Sequence, residues 1–185
     1  MTTIPIGSFL AGDQISLLPP TMEHIDLYWK WSNDYRIRKY FGTSIPKSKS
    51  SIQKLIDTPG TSRIWFEIWH NQDEKVIGLY KISSIHWIRR KCSIGALIGD
   101  VSYWNHGLTT AATKIIIDYI FGELNLHKIN TMVYESNTGS RKVLEKCGFT
   151  HEATISDAGY FDGRYCADIL YSMTRDAWIG LREPK

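Results

Sequence analysis

At 185 residues, with 43% hydrophobic and 22% charged residues, the chain can bury a core without disulfides or metal, and its composition excludes disorder. A formal net charge of +3, with Lys and Arg scattered apart from Arg36, Arg38, Lys39 and the trio Arg89, Arg90, Lys91, requires no nucleic-acid partner. No apolar run approaches the roughly 20 residues of a membrane span, and the three widely spaced cysteines, Cys92, Cys147 and Cys166, form no disulfide framework, so a cytoplasmic protein without a membrane partner is expected.

The opening residues have neither a basic start nor a long apolar stretch, and no secretory leader is expected. A strand over residues 14–18 ends at Pro19-Pro20. A helix then begins at Thr21, its expected cap, and runs toward Trp31. Residues 29–38 mix aromatic, amide, acidic and basic groups in a break between helical pieces, which suits either a pocket wall or an aromatic anchor for a loop. A turn at residues 44–47, a helix over 48–56 capped by Ser48 or Ser50, and a stop at Thr58-Pro59-Gly60 follow.

From Ser62 the pattern alternates with period two. It predicts two antiparallel strands, 63–69 and 75–82, joined by a polar hairpin, with residues 85–91 as a connection to the next strand. That strand ends near Gly99, and a turn through Trp104-Asn105-His106-Gly107 leads into a helix whose inward face is expected to carry Ala111, Ala112, Ile115, Ile116, Tyr119 and Ile120, with Thr113, Lys114 and Asp118 outward. The first turn of such a helix offers unpaired N–H groups and a positive dipole end to a phosphate, and Gly107 would let the backbone approach it.

Residues 127–134 read as another strand and 137–147 as a helix, with Gly148 as its C′ residue and Phe149 as the hydrophobic clasp. Two strands, near 152–156 and 165–174, surround a hairpin turn at 161–164. No repeat or linker divides the chain, so one domain over residues 1–185 is expected. The six histidines have no metal-ligand spacing, and no metal is expected.

The ordered combination of Ile98-Gly99, Tyr103-Trp104, Gly107, the 126–129 stretch Leu-His-Lys-Ile, the 137–149 stretch from Asn137 to Phe149, and Asp168 near Met173 resembles the GNAT acetyltransferases. Within them it looks most like the RimJ/RimL type of ribosomal-protein N-acetyltransferase. The resemblance spans about residues 15–178. It implies an α/β (α+β) fold with a central, mostly antiparallel, twisted mixed sheet flanked by helices, and acetyl-CoA inserted between parallel strands ending near Gly99 and Tyr134.

The implied cofactor-binding residues are Leu97, Ile98, Gly99, Trp104, Asn105, His106, Gly107, Leu108, Thr109, Thr110, Asn137, Ser140, Arg141 and Lys146. The family's turn pattern, Gln/Arg-x-x-Gly-x-Gly/Ala, is matched in part. Trp104 takes the first place, as is common in the RimJ/RimL branch, Gly107 keeps the glycine, and Asn105 and Thr109 depart from it. Both still supply backbone N–H groups. The residue matching Asn137 commonly bonds the pantetheine arm in this family, and the one matching Ser140 lies near the sulfur; read alone, the pair also suits a helix cap. Many relatives have a Tyr general acid where Leu144 stands here, which shifts proton donation to Ser140 or water.

The implied reaction is direct attack of a neutral primary amine on the thioester of acetyl-CoA, with a backbone N–H near Ile98 stabilising the oxyanion. An α-amine, with a reference pKa of about 7.7, is about a third neutral at about pH 7.4, whereas a lysine amine at ~10.4 is about a thousandth neutral. An α-amine or a sugar amine therefore needs only a weak base or a water chain, while a lysine or polyamine asks for more. Candidate catalytic residues are Ser140, Asn137 and Glu135, with Glu67 and His86 as further bases and surface or strand-end charge as the alternative for each.

The expected acceptor is a small-molecule or peptide amine, with a protein N-terminal α-amine first and a nucleotide-linked amino sugar or a polyamine as alternatives. The loop from Trp31 to Phe41, with Trp31, Asn33 and Asp34, forms its expected wall together with Tyr134 and the hairpin Tyr160-Phe161. A protein that binds acetyl-CoA without turnover is the alternative from another class. Strand edges and Trp178 would suit a homodimer.

Overall fold

The computed structural model describes residues 4–40, 45–57 and 60–183. The expected loop end at Phe41, the start of the 44–47 turn at Ser44 and the stop at Thr58-Pro59 lie outside these residues. The chain runs β1 (Leu10–Ala11), β2 (Ile15–Leu18), α1 (Ile25–Asn33), α2 (Tyr35–Arg38), α3 (Lys49–Asp57), β3 (Ile64–His70), β4 (Lys75–His86), β5 (Lys91–Ile98), α4 (Leu108–Asp118), β6 (Lys128–Tyr134), α5 (Thr138–Lys146), β7 (Thr150–Phe161), β8 (Arg164–Thr174) and α6 (Arg175–Arg182).

The strands form one eight-stranded sheet in the order β1-β2-β3-β4-β5-β6-β8-β7. Every neighbouring pair is antiparallel except β5 and β6. This is the mixed, mostly antiparallel, helix-flanked architecture expected. Its two faces bury separate cores. On one, Tyr28, Trp31, Ile37 and Ile52 from α1, α2 and α3 pack on Val76, Leu79 and Leu97. On the other, Ala112, Ile116 and Leu144 from α4 and α5 cover Tyr80, Ile82, Ile94 and Ile129. The alternation along β4 and β5 that places Tyr80 and Ile94 on one face and Leu79 and Leu97 on the other is what lets a single sheet serve both.

Several expectations are corrected here. Thr21 makes no side-chain cap; its backbone N–H reaches Glu67 Oε1 at 3.2 Å instead, as does His24 Nδ1 at 2.7 Å. Glu67 is 1% exposed, and a buried carboxylate needs such partners. Residues 85 and 86 belong to β4 rather than to a connection.

Thr113 does not face outward: it is buried, donating to Thr109 O at 2.8 Å and accepting from Tyr80 Oη at 3.1 Å. After Asp118 the helix widens into a π-helical turn over Tyr119–Glu123, with Leu124 N–H reaching Tyr119 O at 3.0 Å, which buries Tyr119, Ile120 and Phe121 in succession. α6 has no counterpart among the elements expected from the sequence; Thr174 caps it through Ala177 N–H at 3.2 Å. Trp178 on α6 packs on Phe121 and donates to Asp118 Oδ1 at 2.8 Å, so it serves this chain's own packing.

The helix-end signals read from residues 137–149 are matched. Asn137 Oδ1 accepts from Ser140 N–H at 3.1 Å. At the other end Gly148 (φ 90°) donates to Glu145 O and Phe149 N–H to Leu144 O, both at 3.0 Å, which is a Schellman motif.

Candidate active site

β5 and β6 are paired only at Lys91↔Lys128 and Cys92↔Ile129, and then separate. Thr131 Oγ1 on β6 donates to Ile94 O at 2.9 Å where the ladder has ended. Gly99 N–H donates to Ile77 O on β4, and antiparallel alternation then commits Leu97 and Gly95 to β4 and turns the N–H groups of Ala96 and Ile98 into the split. Two adjoining cavities of about 360 and 370 Å³ fill it, sharing Tyr40, Ala96, Thr109, Asn137, Ser140 and Val143.

The first cavity is built for an anion. Asp100 Oδ1 accepts from Ser102 N–H at 3.1 Å and starts a turn in which Asn105 (φ 65°) and Gly107 (φ 77°) reverse the backbone into α4. A Cβ at Gly107 would meet nothing within 4 Å, so bare backbone faces the cleft. No side chain caps α4, and the backbone of Leu108, Thr109 and Thr110, whose N–H groups lack a helical partner, borders the cavity at the positive end of the helix. Trp104 Nε1 donates to Ile98 O at 2.9 Å, tying this turn to the end of β5. A diphosphate fits this donor set.

The second cavity is where a proton can move. Tyr134 on β6 and Asp168 on β8 are cross-strand partners and both border it. They crowd one point over β7: a Cβ on Gly159 would sit 2.7 Å from Asp168 Oδ1 and 2.8 Å from Tyr134 Cδ1. Burial, and next the charge of Asp168, push the Tyr134 phenol above its ordinary value, so it remains protonated near neutrality. Lys81 enters from the opposite wall, across Gly95.

Among the expected cofactor residues, Leu97, Ile98, Trp104, Asn105, Gly107, Leu108, Thr109, Thr110, Asn137 and Ser140 border the first cavity. Gly99 does not, because Trp31 covers it. His106 lies exposed outside the lining. Arg141 turns away to Glu135 O at 3.2 Å and Tyr171 Oη at 3.4 Å, and Lys146 is exposed at the far end of α5.

Of the expected catalytic residues, Ser140 and Asn137 border both cavities, with Asn137 Oδ1 engaged in capping α5. Glu135 is exposed and borders neither, since strand alternation turns its neighbour Tyr134 inward. Glu67 is sealed on the α1 face, where Tyr28 Oη also donates to it, and His86 Nδ1 accepts from Arg89 N–H at 3.2 Å in the β4–β5 turn.

Of the expected acceptor wall only Tyr134 borders the cleft. Trp31 is 5% exposed within a core. Asn33 staples α1 to Lys47, accepting from its N–H and donating to its carbonyl, both at 3.0 Å. Asp34 caps α2, and Tyr160 packs edge-to-face on Tyr165 at the hairpin tip. The loop does reach the cleft, through Ile37 and Tyr40. Asp168, Lys81 and Tyr40 were missed as site residues; Asp168 was singled out in the sequence as part of a pattern, and only the β6–β8 register brings it to the split.

Comparison with known proteins gives this architecture relatives. Residues 14–150 match the family model described as an acetyltransferase (GNAT) domain. The protein named uncharacterized N-acetyltransferase p20 of Bacillus licheniformis is 25% identical over 176 residues, 92% of this chain and 98% of that one. The spermidine N(1)-acetyltransferase of Escherichia coli strain K12 is 29% identical over 93 residues, 50% of each chain. The crystal structure of spermidine N-acetyltransferase from Vibrio cholerae in complex with CoA and spermine has the same fold, with a TM-score of 0.84 at 21% identity over 91% of this chain and 99% of that chain. Among the described residues no helix is long and apolar enough to cross a membrane, and no group of His, Cys, Asp and Glu could hold a metal ion.

Proposed function

The chain belongs to the GNAT acetyltransferase domain family, and on that premise we propose that this N-acetyltransferase is one domain over its length and acts on α-amines at chain ends, as the RimJ/RimL pattern of its sequence suggests. Acetyl-CoA is the acyl donor, and when bound it supplies an activated acetyl group as a thioester. Residues 104–110 hold its diphosphate in this reading, and Asn137 and Ser140 flank its arm.

The observation that carries the acceptor assignment is that Asp168 is the single carboxylate bordering the second cavity among the described residues. One carboxylate is a weak base, adequate for an amine that is already about a third neutral near about pH 7.4. Asp168 accepts the proton that the acceptor ammonium loses on becoming the nucleophile, and the second proton, shed by the nitrogen as the amide forms, replaces the one that Tyr134 gives to the sulfur. The N–H groups of Ala96 and Ile98 stabilise negative charge on the acyl oxygen. The Tyr134 hydroxyl, kept protonated by its surroundings, supplies the proton that the departing sulfur requires, with Ser140, which borders both cavities, as a further hydroxyl donor.

The relatives named for spermidine support a second reading, a polyamine acceptor. Thiol release measured over α-amino peptides, nucleotide-linked amino sugars and spermidine separates these. Release with peptides is the expected result. Release with spermidine alone installs the polyamine reading, and acetyl-CoA binding without release from any amine makes the chain a non-catalytic binder.

A further inference from the structure

The second cavity is bordered by two side chains of opposite charge on opposite walls, Asp168 on β8 and Lys81 on β4. Lys81 reaches it by crossing a neighbouring strand. Its register partner on β5 is Gly95, and a Cβ there would lie 3.0 Å from Cε, 3.6 Å from Cγ and 3.9 Å from Cδ of the lysine. The stem thus lies over β5 through the notch that Gly95 leaves, toward the split beyond it. Burial, and next the charge of Arg63, lower the Lys81 pKa and so disfavour its ammonium form, which an anionic partner in the cleft would restore.

The diphosphate turn does not need this lysine. Trp104, Asn105, Gly107 and Leu108 border the first cavity only, and Lys81 borders the second only. A cation in the half of the cleft that receives the acceptor repels a polyamine and favours an anion.

We propose that Lys81 selects the acceptor: the substrate carries a carboxylate near its amine, with the amine directed to Asp168 and the carboxylate to Lys81. This rests on the acetyltransferase reading and narrows its acceptor class. Two sources have this chemistry, a peptide whose first residue is acidic and a free acidic amino acid.

The test is kcat/KM by thiol release for a tripeptide beginning with aspartate, its counterpart beginning with lysine, free aspartate and spermidine. It is run on the wild type, Lys81→Met, Lys81→Arg and Lys81→Glu, together with calorimetric titration of the same ligands into the CoA-loaded protein. A hydrogen bond to a charged group corresponds to roughly ten- to a hundredfold in affinity. The wild type is expected to prefer the aspartyl peptide over the lysyl one by a factor in that range. Lys81→Met abolishes the preference, Lys81→Arg keeps it, and Lys81→Glu reverses it toward spermidine.

Free aspartate outperforming the peptide identifies the amino acid as the source. Equal preference in wild type and Lys81→Met overturns the inference while leaving the transferase intact, as does a Lys81→Met variant whose loss lies in CoA affinity. Calorimetry reads the same contrast without turnover, so absence of thiol release from every amine removes the acetyltransferase reading separately. Failure of the CoA-loaded protein to bind the aspartyl ligands more tightly than the cationic ones overturns the inference in that case too.

Discussion

The indole of Trp31 occupies the place of the side chain that Gly99 lacks: a Cβ there would lie 2.0 Å from Cδ2 and 2.3 Å from Cε2 of the ring. Through this contact α1 is seated on the end of β5, and α2 follows with Ile37 and Tyr40 at the cleft. Gly99→Ala forces the indole away and costs about 1–3 kcal/mol by overpacking. The expected outcome is a lower urea midpoint at unchanged m-value. A midpoint equal to that of the wild type would show that α1 rearranges freely.

A second glycine holds the chemistry in place. Asp168 Oδ1 and the Tyr134 ring both lie under 3 Å from where a Gly159 side chain would begin. Gly159→Ala displaces both, and a shift of this kind near reacting groups costs on the order of 10²-fold in rate. CoA affinity is expected to hold within about twofold, because Gly159 on β7 borders neither cavity. Single-turnover acetyl transfer beside a CoA titration checks the pair of outcomes.

Those two glycines also mark what the sequence conveys and what it does not. Local rules were readable: Asn137 at an N-cap, Gly148 and Phe149 at a Schellman terminus, and the strand-turn-helix from Cys92 through Gly107 all rest on neighbours a few residues apart. The aromatic and polar stretch from Trp31 to Asp34 looked like a pocket wall because composition alone cannot tell a binding surface from an anchor. The structure uses Trp31 as core, Asn33 as a staple and Asp34 as a cap. Asp168 meets Tyr134, and Lys81 meets Gly95, through the pairing of strands distant in sequence, which periodicity does not encode.

Thr113 is a case where a polar residue on the helix misled the period. Its hydroxyl stands between Tyr80 Oη and Thr109 O, wholly inside. Thr113→Val leaves the buried Tyr80 phenol without this acceptor and costs about 1–3 kcal/mol. Adding Tyr80→Phe removes the orphaned group, so the double variant is expected to be more stable than Thr113→Val alone. Chemical denaturation of the four proteins in a double-mutant cycle measures the coupling.

The cap of α2 makes a pH prediction. Hydrogen bonding to the Arg36 side chain is the main cause that lowers the Asp34 pKa to about 2. A depressed carboxylate favours the folded state above its unfolded value of about 3.9, and that contribution is lost as pH falls through the folded value. The Asp34–Arg36 pair therefore weakens only between about pH 4 and about pH 2 and is intact at neutrality. Asp34→Asn should flatten this part of the stability profile while keeping an acceptor for Arg36 N–H. A slope over that interval unchanged by Asp34→Asn would assign it to other carboxylates.

The turn into α4 separates backbone strain from ligand contact. Gly107 has φ 77°, and an alanine there bears roughly 1–2 kcal/mol of left-handed strain. Its added methyl group would also project into open cleft, since nothing lies within 4 Å of it. Gly107→Ala is thus expected to lose both stability and CoA affinity, which by itself does not tell the two causes apart. Asparagine tolerates the left-handed region far better, so Gly107→Asn should recover much of the stability while its side chain still obstructs the bare backbone. Weak CoA binding in a stable Gly107→Asn protein, by calorimetry and thermal unfolding together, would assign the diphosphate to this turn, and wild-type affinity in that variant would move the diphosphate elsewhere in the cleft.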